Sequence, residues 1–184
     1  MKGIIFNLLE EVVTQHFGED AWDDVLDRVG LEGSYTSLGS YGDEQFVDLL
    51  GALPAMPGSS EAELVRWFGR SAIPLLADRY PMFFEAGSTR AFLLTLNNII
   101  HPEVRKLYPG ADVPVFEFDD DLEGLAEDQL VLGYRSPRQL CVLAEGFIEG
   151  AALHFGEQAH IEQPMCMIRG DERCAIVCSF EQLP

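Results

Sequence analysis

Gln129-Leu130-Val131-Leu132-Gly133-Tyr134-Arg135-Ser136-Pro137-Arg138 is the stretch on which the architecture turns. An apolar, β-prone run leads to Tyr134, and Ser136-Pro137 breaks it. From Arg138 to Phe155 apolar residues recur at helical spacing, so a strand over Gln129–Tyr134 passes almost directly into a helix. Downstream, Met165–Arg169 and Cys174–Phe180 flank Gly170-Asp171-Glu172 and predict a β-hairpin. Upstream, Val113–Phe118 predicts another strand, followed by an acidic turn at Asp119–Glu123.

Before Pro109 the chain is helical in texture. Ile4, Ile5, Leu8, Leu9, Val12 and Val13 form one stripe that ends near Gly18. A short helix over Ala21–Val29 closes at Gly30, and a loop follows over Gly33–Ser40. Residues Asp43–Leu53 read as helix until Pro54, Pro57, Gly58, Ser59 and Ser60 interrupt. Ser60 with Glu63 is a capping box opening a helix that carries Leu64, Trp67, Phe68 and Ile73. A further helix is predicted from Ser88 to Leu107, disturbed at Pro102. Helices come first and an antiparallel sheet carrying a helix follows, which is an α+β fold. No internal repeat or low-complexity segment occurs.

At 184 residues, 47% hydrophobic and 23% charged, the chain is an ordinary globule with apolar material to spare for a cofactor slot. Its 12 Lys and Arg against 31 Asp and Glu leave a formal charge of −19. That excludes a nucleic-acid surface and disfavours an anionic membrane, while it suits a basic partner protein. No apolar run approaches the roughly 20 residues of a membrane span. Glu10 and Glu11 interrupt the basic-then-apolar start too early for a signal peptide, so the expectation is an amphipathic helix in a cytoplasmic protein.

Two groups carry chemistry. His101 follows Phe92, Leu93, Leu94, Leu96, Ile99 and Ile100 in one of the most apolar helices of the chain. Alone, it reads as a core or boundary histidine; a neutral imidazole beside an apolar slot is also a good iron ligand. Tyr134, Ser136 and Arg138 occupy alternate positions, which on an extended strand face one side. A phenol, a hydroxyl and a guanidinium together make a receptor for carboxylates, although the bare pattern also suits a solvated strand end. The four cysteines all lie from residue 141 onward, which is local rather than a secretory framework. Cys166 and Cys174 straddle Gly170, Cys178 shares a strand face with Cys174, Cys141 starts the long helix, and His160 lies between helix and hairpin. Three thiols and an imidazole satisfy a tetrahedral structural zinc site.

The order of these elements resembles the H-NOX (haem nitric oxide/oxygen binding) family, which includes the haem domain of soluble guanylate cyclase, over the whole chain. Met1-Lys2-Gly3-Ile4-Ile5-Phe6-Asn7 resembles the family's opening, and Ile99-Ile100-His101-Pro102-Glu103-Val104 with Lys106-Leu107-Tyr108 its proximal histidine segment. Pro114 stands where the family has a proline packed on the porphyrin, and Tyr134, Ser136 and Arg138 match its propionate-binding motif. The resemblance implies haem b held between a distal helical subdomain (about 1–60) and a proximal subdomain (about 61–184), with His101 as axial iron ligand. Ile5, Leu9, Ala72 and Leu143 are implied as further haem contacts. Oxygen-binding relatives use a distal tyrosine with polar helpers; the corresponding positions here are Leu143, Leu9 and Ala72, all apolar. The resemblance therefore implies a sensor of nitric oxide, also open to carbon monoxide. Tyr35, Tyr41 and Tyr80 are phenols whose reach spacing does not settle.

Cys141, Cys166 and Cys174 resemble the zinc-binding cysteines of a bacterial subset, which places a histidine where this chain has Gln163. The fourth zinc ligand is then His160, with Cys178 as the alternative. The implied mechanism is a nitric-oxide-weakened Fe–His101 bond, relaxation of the haem against Pro114 and a shift of the two subdomains. No kinase or cyclase segment is present in these residues, so the expected output is regulation in trans of a histidine kinase or a cyclic-di-GMP enzyme, with biofilm formation as a family precedent. A thiol and zinc redox sensor is the competing reading. A peroxidase is a third, disfavoured because no distal His or Arg is placed for proton transfer.

Overall fold

The computed structural model describes residues 1–54, 59–118, 125–126 and 128–184. Helices α1 (Gly3–Phe17), α2 (Ala21–Val29), α3 (Asp43–Gly51) and α4 (Glu61–Arg79) come first. Gly30 closes α2 in the left-handed conformation that glycine adopts at no steric cost. Ser60 and Glu63 make the capping box reciprocally, each side chain bonding the other's backbone N–H. The acidic turn expected at Asp119–Glu123 lies outside the described residues, as do Pro57 and Gly58.

The single helix expected over 88–107 is three pieces. They are α5 (Thr89–Leu94), a π-turn over Leu96–Ile100 and α6 (His101–Leu107). The carbonyl of Thr95 accepts from both Ile99 and Ile100, so the wider turn absorbs one extra residue just ahead of Pro102. Pro102, lacking an N–H, sits harmlessly in the first turn of α6.

Strands β1 (Phe116–Phe118) and β2 (Leu130–Tyr134), helix α7 (Cys141–His154), and strands β3 (Glu157–Met165) and β4 (Cys174–Gln182) complete the chain. The sheet is antiparallel in the order β1-β2-β4-β3. The predicted hairpin is real, but its first strand is β3 rather than Met165–Arg169. Residues Met167–Arg169 form a 3₁₀ turn that Gly170 ends at φ 99°. Polar residues alternate with inward ones along β3, and Pro164, which lacks a ladder N–H, coincides with a register shift between Glu162 and Met165.

The apolar residues form two main clusters. One joins α1, α2 and α3 to Val65, Trp67, Phe68 and Ala72 of α4 and Leu143 of α7. The other joins Phe92, Leu93, Ile100, Phe116 and Tyr134 to the inner face of the sheet and to Cys141, Ala144, Ile148 and Ala151 of α7. The clusters do not part at residue 60, because α4 lies with the first. Helices α4 and α7 meet backbone to backbone through Gly69, Gly146 and Gly150. A Cβ on Gly146 would lie 2.2 Å from the carbonyl oxygen of Arg66. Arg66 also holds Glu145 and Glu149 of α7 at 2.9 and 2.7 Å.

Candidate functional site

His101 opens α6, immediately after the π-turn, and its ring lies 5.9 Å from that of Phe116. Its Nδ1 is buried without a hydrogen-bond partner. Burial pushes its pKa down to about 4, with Arg105 adding to the depression while the nearby Pro114 backbone opposes it. The imidazole is therefore neutral at physiological pH and keeps a lone pair for a metal. Orphaned polar atoms in a folded interior call for an explanation, and a ligand bound at the ring supplies one.

Tyr134 ends β2, buried, with its ring 6.0 Å from Phe116 and its hydroxyl accepting from Leu140 N at 3.1 Å. Burial raises its pKa against the opposing hydrogen bond from Ser136. The extended strand does not continue to Ser136 and Arg138. A turn follows, in which Gln139 N donates to the Ser136 carbonyl and Arg138 N to Ser136 Oγ at 3.3 Å. Arg138 is thus turned toward α3. Its Nε and Nη2 donate to the two Asp43 carboxylate oxygens at 2.7 and 3.0 Å, and its Nη1 to the Asp112 carbonyl at 3.1 Å. The amino group of Met1 joins Asp43 at 2.7 Å. Burial works to raise the Asp43 pKa, but the amino group and Arg138 outweigh it and hold the carboxyl below its usual range. The arginine fork thus holds the Asp43 carboxylate bidentately. Asp43, far from Arg138 in sequence, carried no local signal beyond starting a helix.

Leu9, Ala72 and Leu143 are buried in one cluster, with Ile5 packed against it. The three phenols of uncertain reach are engaged elsewhere. Tyr35 and Tyr41 pack on Phe6, their hydroxyls bonded to Gln45 and to Thr36 respectively, and the Tyr80 hydroxyl bonds that of Tyr108.

Cys141, Cys166 and Cys174 are all buried, their sulfurs within 4.8 Å of one another. Cys141 and Cys166 stand 3.8 Å apart, and Met167 N donates to Cys174 Sγ at 3.2 Å. Burial pushes the Cys141 thiol up to about 12 and raises Cys174, so both remain protonated unless a metal displaces the proton. The structure does not bring His160 into this group. Residues on β3 alternate sides, and His160 points outward, its side chain 51% exposed and 3.4 Å from Glu181. Gln163, of the opposite parity, lies beside Cys141 instead, its Nε2 buried. Cys178 faces the same core as Cys174 but stands outside the thiol group, near Glu145 and Arg66.

The family model described as haem-NO-binding matches residues 2–163. Among solved structures, an H-NOX protein from Shewanella oneidensis in the Fe(II)NO state matches with a TM-score of 0.87 at 29% identity, over 99% of this chain and 100% of that one. The H-NOX domain from Shewanella oneidensis in the Fe(II)CO state matches with a TM-score of 0.85 at 30% identity, over 98% and 99%. An unliganded Fe(II) H-NOX protein from K. algicida matches with a TM-score of 0.81 at 27% identity, over 99% and 97%. The chain therefore belongs to the haem-NO-binding, or H-NOX, family of haem-binding gas sensors.

Proposed function

We propose that this chain senses nitric oxide through a haem b whose iron is held by His101, and that the observation carrying the reading is the neutral, half-buried His101 ring with its enclosed Nδ1. When bound, haem would supply an iron able to take a diatomic gas. The chain's own residues do the rest. Tyr134, Ser136 and Arg138 would hold the two propionates, Arg138 exchanging the Asp43 carboxylate in its fork for a propionate. Pro114, whose backbone lies beside His101, would pack on the porphyrin. Ile5, Leu9, Ala72 and Leu143 keep water out and offer no hydrogen-bond donor, which withholds stabilisation from polarised bound oxygen and leaves nitric oxide, which needs none, as the favoured ligand.

His101 stands at the head of α6, so any change in how it is held passes directly to that helix and to the π-turn before it. Such a shift is a two-state bias that a partner protein reads. The division into a distal part (about 1–60) and a proximal part (about 61–184) belongs to this proposal, with α4 and α7 as the shared seam. The partner is a histidine kinase or a cyclic-di-GMP enzyme acting in trans; the charge of −19 suits a basic docking face. Cys141, Cys166 and Cys174 hold a structural zinc that ties the base of α7 to the β3–β4 hairpin. The buried thiol trio also favours a second reading, a thiol and zinc redox sensor.

The absorption spectrum of the purified ferrous protein tests the proposal. A Soret band that shifts with nitric oxide and is unaltered in air supports it. Haem retained by His101→Gly without added imidazole overturns the ligand assignment, and a stable complex in air overturns the selectivity.

A further inference from the structure

The segment that faces His101 has little secondary structure of its own. Residues 111–115 form no regular element, yet Pro114 and Phe116 both lie against the His101 ring. Arg138 and Arg105 hold the carbonyls of Asp112 and Val113, and Phe116 is anchored by Asn97, one turn before His101 within the π-turn. Its Nδ2 donates to the Phe116 carbonyl at 2.5 Å, and its Oδ1 accepts from Phe116 N at 3.0 Å. The carboxamide thus satisfies both backbone groups of one residue, as a neighbouring strand would. Strand β1 is the sheet edge, and Phe116 pairs with Tyr134 on its other side. Asn97 therefore caps the open edge at Phe116, whose ring lies 5.9 Å from the imidazole of His101 and 6.0 Å from the phenol of Tyr134.

We infer that Asn97 is a positioning residue for the haem ligand: its two-point bond to Phe116 sets Pro114 and Phe116 against His101 and so fixes the orientation of the imidazole. The inference rests on the reading of His101 as the iron ligand. The π-turn is part of the device. Its extra residue widens the turn so that Asn97 and His101 both face the 114–116 segment, one through its amide and the other through its ring. Without the amide, the N–H and C=O of Phe116 lose their partners, and the end of the segment beside His101 loses its anchor.

The test uses the haem-loaded ferrous protein and reads the Fe–His stretching band by resonance Raman, together with the carbon monoxide dissociation rate. Asn97→Ala removes both bonds. Asn97→Asp keeps the acceptor but sets an oxygen against the Phe116 carbonyl. Asn98→Ala changes the exposed neighbour on the same turn and serves as the control. Both Asn97 variants are expected to move the band and to change the dissociation rate several-fold, with Asn98→Ala matching the parent. A lower melting temperature with the band and the rate unaltered would show a purely structural role and overturn the inference. If Asn97→Ala does not retain haem, Asn97→Asp decides. His101→Gly separates the two levels: haem held without imidazole defeats the ligand reading, whereas His101 ligation with unmoved Asn97 bands defeats only this inference.

Discussion

Replacing Gly146 with alanine tests how closely α4 and α7 must approach to build the apolar wall. The new methyl would lie 2.2 Å from the Arg66 carbonyl oxygen, and ordinary contact begins at 3.4 Å, so the helices must part locally by about 1.2 Å. The obstacle is backbone, which cannot swing away like a side chain. Overpacking of this kind costs about 1–3 kcal/mol, and the upper end applies to a rigid carbonyl. Alanine regains about 1 kcal/mol of helix propensity over glycine. The net is a loss of about 2 kcal/mol, which for a chain of this size lowers the melting temperature by about 4–8 °C. Gly51, at the end of α3, provides the opposite case, because a Cβ there meets nothing within 4 Å. Gly51→Ala is expected to be neutral or to stabilise by up to about 1 kcal/mol through the unfolded chain. Thermal unfolding followed by circular dichroism compares the two. A Gly146→Ala protein that melts at or above the parent temperature refutes the close-packed α4–α7 seam.

Leu143→Tyr, placing a phenol in the cluster shared with Leu9 and Ala72, is expected to give the ferrous protein an oxygen complex that persists in air; an unchanged spectrum in air means that Leu143 does not face the gas. In haem-free protein, His101 stays neutral when folded down to about pH 4 but takes a proton near pH 6.5 when unfolded. Its contribution to stability is therefore present above pH 6.5 and lost as pH falls toward 4, by at most on the order of 3 kcal/mol, less after solvent screening. Denaturant titrations at stepped pH should show that slope in the parent and its loss in His101→Leu; equal slopes refute it. Cys174→Ser is expected to abolish bound zinc in metal analysis while His160→Ala retains it, and the reverse pattern would return His160 to the metal.

The elements that depend on neighbours in sequence were legible without coordinates. The α1 stripe, the Ser60–Glu63 cap, the Gly30 stop and the passage from β2 into a long helix all rest on forces acting within one or two turns of chain. Residue type and spacing alone left His101, Tyr134 and the cysteines ambiguous, and only the resemblance to the family singled them out. Local pattern failed where a second segment had the deciding vote. The break between α5 and α6 fell at Leu96–Ile100 rather than at Pro102, in the turn from which Asn97 bonds Phe116 of β1. The hairpin's first strand ran back to Glu157 because β4 is long enough to pair with it, and that parity turned His160 to solvent and Gln163 to the thiols.

The clearest division is at Arg138. Its chemistry, a guanidinium fork for carboxylates, was written in the sequence as a residue type. Its present partner, Asp43, was not, since no periodicity or spacing relates two residues so far apart in the chain. Side-chain identity and short-range propensity are properties of the chain itself. Which distant groups come within hydrogen-bond reach depends on closing long loops around two packed clusters, and only the folded structure carries that information.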